Sequence, residues 1–191
     1  MTTNTLCQKV NALHLTTERL TVRRPISQDQ EAHLIHTLDP EVCRHIREVP
    51  SVEDAKRAFI DLLDPWQGDE HEWACFMVEL QRDKAVIGSV AFRYTSHEDN
   101  IVEIGYRFNR AYQGHGYAIE AMTAFIDALQ QQIQVRKLIA LVSVENTPSL
   151  KLIEKLNMEQ EGYFKLNHFV VDHWVDEKQF ALLNPYFSYI N

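Results

Sequence analysis

Apolar residues follow two rhythms along this chain. Alternating or continuous apolar runs at residues 19–24, 73–80, 85–94, 101–108 and 137–144 predict strands, and longer runs at 158–171 and 174–183 predict a closing hairpin with Asp172 and His173 near its turn. Gln81-Arg82-Asp83-Lys84 separates the second run from the third, which predicts a hairpin that residues 101–108 extend into a meander. The run 137–144 is apolar on both faces, as a central strand covered by helices would be.

Helical spacing marks other stretches. Ile119, Met122, Phe125, Ile126, Leu129 and Ile133 recur on one face, so a helix follows the meander. Ser27 with Gln30 has the form of a capping box, opening a short helix on which Ala32, Ile35 and Leu38 share a face before Asp39-Pro40 stops it. Ser51 opens a second helix, with Ala55, Phe59, Leu62 and Leu63 inward and Asp64-Pro65 ending it. A further helix is predicted over residues 148–156. Residues 1–13 are polar without clear periodicity and are expected to form a short arm, leaving residues 14–191 as one domain. This alternation of strands and helices predicts a mixed α/β domain.

Composition narrows the class. At 191 residues the chain is long enough for a sizeable core, and no uncharged apolar run approaches the length of a membrane span. The N-terminus lacks the apolar stretch of a signal peptide, so a cytoplasmic location is expected. Cys7, Cys43 and Cys75 are odd in number and widely spaced, which suggests neither a disulfide framework nor a zinc site. His115, His168 and His173 share no ligand spacing, so no metal is expected. A net charge of −8 argues against nucleic acid as a partner and fits a cationic small molecule or basic peptide better. Asp61, Asp64, Asp69, Glu70 and Glu72 form an acidic segment, read as a solvated loop in preference to an amine-attracting rim.

The most informative stretch joins the strand at 101–108 to the helix after it. Gly114 and Gly116 lie in this connection. A helix start presents unpaired N–H groups and the positive end of the helix dipole, and glycine lets a polyanion approach the backbone. Pyrophosphate would suit such a site. The plainer alternative is a tight turn that needs glycine only for positive φ. Neither Gly-x-x-x-x-Gly-Lys-Ser/Thr nor the third glycine of a dinucleotide loop is present.

Gln113-x-x-Gly116-x-Ala118 resembles the Q/R-x-x-G-x-G/A signature of the GCN5-related N-acetyltransferases. Asn146-Thr147-Pro148-Ser149, followed by Leu152, Glu154, Lys155 and Leu156, resembles that family's second signature, with Asn157 where glycine is common. Residues 17–23 resemble the first strand of the ribosomal-protein N-terminal acetyltransferase (RimJ/RimL-like) subgroup. The resemblance implies a single domain with a mixed, mostly antiparallel twisted sheet of about seven strands and helices on both faces. It implies acetyl-CoA as co-substrate and no metal. Gln113, Gly114, His115, Gly116, Tyr117 and Ala118 would bind its pyrophosphate. Tyr106, Arg107 and Phe108 would line the pantetheine arm through their backbone at a strand bulge, and Asn146 would bond the pantetheine amide or cap its helix. The acceptor would be an amine-bearing small molecule or a protein N-terminus, with the enzyme a monomer or homodimer that engages neither nucleic acid nor membrane.

Amine attack on a thioester needs a free amine, oxyanion stabilisation and a proton for the thiolate. Glu103 is the candidate base, against the alternative of a surface strand glutamate; Glu120 is second, though early in a helix it also suits the dipole. Ser149 is the candidate proton donor, against an ordinary first-turn residue, and Tyr163 is another, with core packing against Phe164 the preferred reading there. Ile153 occupies the position where many relatives of this type carry an acidic tyrosine, and it cannot donate. Direct transfer in a ternary complex is expected, with Cys75 buried and not acylated. The acceptor favoured is a peptide or ribosomal-protein α-amine. Alternatives are a polyamine or antibiotic amine, and a non-catalytic acyl-CoA-binding module that kept the loop and lost the chemistry.

Overall fold

Every predicted strand joins a single sheet in the computed structural model, which describes residues 3–188. In chain order the strands are β1 (His14–Thr16), β2 (Leu20–Arg23), β3 (Ala74–Leu80), β4 (Val86–Ser96), β5 (Ile101–Phe108), β6 (Lys137–Ser143), β7 (Glu159–Val170) and β8 (His173–Leu183). They lie in the order β1-β2-β3-β4-β5-β6-β8-β7, eight strands where the resemblance implies about seven. The addition is short β1, which pairs with β2 from His14↔Arg23 to Thr16↔Thr21.

The helices are α1 (Thr3–Asn11), α2 (Gln30–Thr37), α3 (Pro40–Cys43), α4 (Val52–Asp61), α5 (Tyr117–Ala128) and α6 (Thr147–Lys155). α5 crosses from β5 to β6, the one parallel pair of the sheet. Its Phe125 is fully buried, with its ring 5.4 Å from Phe76 and 6.2 Å from Phe92. Burial of such a side chain stabilises by roughly 1.5–3 kcal/mol. α2 and α4 pack on each other, with the rings of His33 and Phe59 5.1 Å apart.

One detail of pairing shapes the site. β5 and β6 are joined only at Ile101↔Lys137, Val102↔Leu138 and Glu103↔Ile139. Beyond Glu103 they separate, while β6 stays paired with β8 as far as Ser143↔Glu177. The C-terminal half of β5 therefore has backbone groups free of a neighbour on that side. The expected bulge in β5 is not what frees them: opposite β4 the register runs regularly from Gly88↔Phe108 to Tyr94↔Val102, and shifts only between Tyr94 and Ser96.

Four local expectations are corrected. The stretch read as an arm is helix α1, docked through buried Leu6 and Val10 and held by two 2.9 Å hydrogen bonds between Asn11 and the Trp66 backbone. Two apolar residues spaced four apart are enough to dock it, but too few to give a periodic signal. Residues Ser27–Asp29 form a 3-10 turn, and Asp29, not Ser27, accepts the Ile26 N–H at 2.9 Å. On α2 the inward face is His33, His36 and Thr37, while Ile35 is 59% exposed. On α4, Ser51 caps the Asp54 N–H at 3.0 Å and Ala55 and Phe59 are buried as expected, but Leu63 lies at the surface.

Candidate active site

The glycine loop leaves β5 through a 3-10 turn at Arg110–Tyr112. Gly114 and Gly116 take φ of 79° and 81°, left-handed values that favour glycine, and Gly116 is the residue from which α5 starts. No side chain caps this helix, so the N–H groups of its first turn are available to an anion. A Cβ on Gly114 would meet nothing within 4 Å, whereas one on Gly116 would lie 3.4 Å from the Arg19 guanidinium.

Side chains around the loop hold its shape. Gln113 donates through Nε2 to the Phe108 carbonyl at 3.0 Å, and His115 Nδ1 lies 2.8 Å from the Gln113 carbonyl. Arg19 is a further member of the loop that its position ahead of a strand does not reveal. It donates to the His115 carbonyl at 3.0 Å, lies over the Tyr117 ring at 4.5 Å and pairs with Glu120 at 2.6 Å. Glu120 also accepts from the Arg19 N–H at 2.9 Å and the Thr17 hydroxyl at 2.5 Å. Burial works to raise the Glu120 pKa, but these donors outweigh it and the net shift is downward. Glu120 is thus an anchor between the loop and the chain ahead of β2.

A cavity of about 630 Å³ runs from this loop along the free half of β5 to the start of α6. Tyr106, Arg107, Phe108, Gln113, Gly114, Gly116, Tyr117, Ala118, Asn146 and Ser149 all line it; His115 does not. Arg44, Arg110, Lys151 and Lys155 add positive charge to its wall. A second cavity, of about 520 Å³, lies between the sheet and the α2–α4 pair, and the two share His45, Ile46, Tyr106, Arg107, Asn146 and Ser149.

At that junction the Tyr106 hydroxyl and Ser149 Oγ are 2.6 Å apart. Burial pushes the Tyr106 pKa up to about 12, against a smaller downward pull from Ser149. Asn146 accepts the Ser149 N–H at 3.2 Å, so it caps α6. Asn157, after α6, sits at φ 56°, in the region a glycine would occupy. Ile153 is fully buried in the core. Tyr163 bonds Asp176 on the β7–β8 hairpin and lines neither cavity.

Glu103 lines the second cavity. Arg93, opposite it on β4, gives both of its hydrogen bonds to Oε2, at 2.9 and 2.6 Å, and stacks on Trp73 at 4.7 Å. None of Asp61, Asp64, Asp69, Glu70 and Glu72 lines either cavity. Glu72 instead gathers the N–H groups of Gln67, Gly68 and Asp69, and Glu70 accepts from His97. The three histidines singled out in the sequence are not brought together: His115 lies on the Gln113 carbonyl, His168 reaches the Ile46 carbonyl, and His173 pairs with Asp172. Cys75 is a free, buried thiol whose pKa is raised, chiefly by burial. No helix among the described residues is long and apolar enough to cross a membrane.

Residues 19–159 match the family model described as an acetyltransferase (GNAT) domain. The uncharacterized N-acetyltransferase YnaD of Bacillus subtilis (strain 168) is 33% identical over 171 residues, covering 90% of this chain and 97% of YnaD. The ribosomal-protein-S5-alanine acetyltransferase of Vibrio fischeri shares the fold with a TM-score of 0.80 at 18% identity, over 92% of this chain and 99% of that one. Spermidine N-acetyltransferase of Vibrio cholerae, solved with CoA and spermine, does so with a TM-score of 0.76 at 18% identity, over 88% and 97%. At those identities the two structures speak for the fold alone, and together they span protein and polyamine acceptors. Through the family model and YnaD, the chain belongs to the GNAT acetyltransferases.

Proposed function

We propose that this protein is a cytoplasmic enzyme that transfers the acetyl group of acetyl-CoA to a primary amine by direct attack in a ternary complex. The observation that carries the reading is the junction of two cavities at Tyr106 and Ser149, one ending at a glycine-bounded helix start and the other closed by α2 and α4. The α5 N–H groups would take the pyrophosphate, with Arg44, Arg110, Lys151 and Lys155 near enough to balance phosphate charge. The free half of β5 offers backbone partners to the pantetheine amides.

An amine entering from the second cavity would meet the thioester where the cavities join. It enters mostly protonated and must lose that proton before it attacks, since an ordinary amine titrates near ~10. Glu103 is the base, directly or through water; its Oε1 is left by Arg93, which bonds only Oε2. As the C–S bond breaks, the thiolate takes a proton from the Ser149 and Tyr106 hydroxyl pair, which is made good by the proton that the attacking nitrogen loses as it becomes an amide. This pair supplies what Ile153 cannot. Cys75 takes no acyl group, because burial holds its thiol protonated.

The test is to incubate the protein with acetyl-CoA and pooled amines, following free CoA thiol and acceptor mass together. Thiol release matched by acetylated amine supports the reading. Binding of acetyl-CoA with no transfer to any amine would leave a non-catalytic binding module.

A further inference from the structure

The second cavity carries charge of the sign opposite to the chain as a whole. Arg107 projects from the free half of β5, and Arg47, from the segment between α3 and α4, lines the same cavity. The Arg107 Nη1 is buried and has no hydrogen-bond partner, and the same is true of His33 Nδ1 and Thr37 Oγ1 on the opposing helix α2, whose side chains line that cavity too. A buried donor on a charged group without a partner is costly, so such a cluster marks a place where a ligand atom belongs. Among the described residues the only carboxylate lining the cavity is Glu103, already paired with Arg93. Burial, and then the neighbouring charge of Arg47, lower the Arg107 pKa, and an anion bound beside the two would oppose both by favouring the charged guanidinium.

We propose that the acceptor molecule bears an anionic group, a carboxylate or phosphate, and that Arg107 and Arg47 hold it in the second cavity. This rests on the acetyltransferase reading and names its substrate class. A guanidinium fork suits either oxyanion, and a charge-assisted bond from the buried Nη1 of Arg107, with exposed Arg47 at the cavity mouth, discriminates against a neutral analogue. A polyamine would instead place its cations against two guanidiniums. The net charge of −8, which favours a cationic acceptor on the whole-chain average, is thereby overruled by the local charge.

The experiment uses matched amines that differ only in the anion: amino acids against their amides, 4-aminobutyrate against 4-aminobutyramide, phosphoethanolamine against ethanolamine, with spermidine as the cationic control. At least one acid is expected to exceed its neutral partner in kcat/KM by about tenfold or more. The carboxylate and phosphate pairs tell the two sources apart. Arg47→Gln and Arg107→Gln should bring that ratio towards one, mainly through KM, and Arg107→Lys should restore part of it. Should Arg107→Gln not fold, Arg47→Gln and the wild-type ratios still decide. Neutral amines or spermidine used as well as the acids, or an acid preference unchanged in Arg47→Gln, would overturn the inference while leaving the transferase reading intact. If no amine is acetylated, the transferase reading fails. The anion site is then tested by titrating the N-acetylated acids and amides into the CoA-loaded protein: tighter binding of an acid that Arg47→Gln abolishes supports it, and equal or absent binding overturns it.

Discussion

The Tyr106 hydroxyl lies 2.6 Å from Ser149 Oγ, across the gap opened where β5 and β6 stop pairing after Glu103. Two residues 43 apart in sequence thus meet at the point shared by both cavities. If they act as one proton-donating unit, Tyr106→Phe and Ser149→Ala should each slow transfer by roughly tenfold or more, provided thiolate departure limits the rate. The double variant should then cost little more than the worse single one. A double-mutant cycle on single-turnover rates reads this directly, and purely additive losses would separate the two hydroxyls.

Glu103→Gln keeps the shape of the side chain and removes its basicity. Turnover should fall by roughly 10²-fold with acetyl-CoA affinity spared, and the limb of the pH–rate profile that reports the base should disappear. Near-normal turnover at neutral pH would mean that Glu103 serves only as the partner of Arg93.

His36 is completely buried, and burial, then the charges of His33 and Arg107, bring its pKa down to about 3 against a smaller upward pull from the Ala32 backbone. His33 beside it is lowered to about 4, again chiefly by burial. Both ordinarily titrate at 6.5, so below that pH the unfolded chain takes up protons that the folded one refuses. Their stabilising contribution is full above pH 6.5 and declines as pH falls through this window. Between pH 7 and pH 5 each should account for about 2 kcal/mol of lost stability. Urea unfolding of His36→Leu at the two pH values should show a smaller drop than the wild type; equal drops would remove His36 from the account.

Where the physics is local, the sequence was a good guide. The alternation of residues 101–108 predicted β5 to the residue, and two glycines before a 3.6-period stretch predicted a loop and helix that the structure builds with φ near 80° at both glycines. What depends on long-range packing stayed hidden. Nothing in the pattern of α2 says that His33 and His36, and not Ile35, face inward, because that is decided by the α4 and sheet surfaces it meets. The role of Tyr106 was legible only as backbone: its hydroxyl finds Ser149 because β5 and β6 diverge, a property of pairing. Arg19 is likewise joined to the loop by contacts spanning about a hundred residues, with Glu120 as its partner.

Acetyl-CoA binding at the glycine loop is the claim on which the rest depends, and calorimetric titration of acetyl-CoA into the wild type and Gly116→Asp tests it most directly. The substitution puts a carboxylate at the α5 N-terminus, strains a backbone at φ 81° and crowds Arg19. The account predicts saturable binding at one site in the wild type and none measurable in a variant whose unfolding remains cooperative. Equal affinity in the two proteins would contradict it.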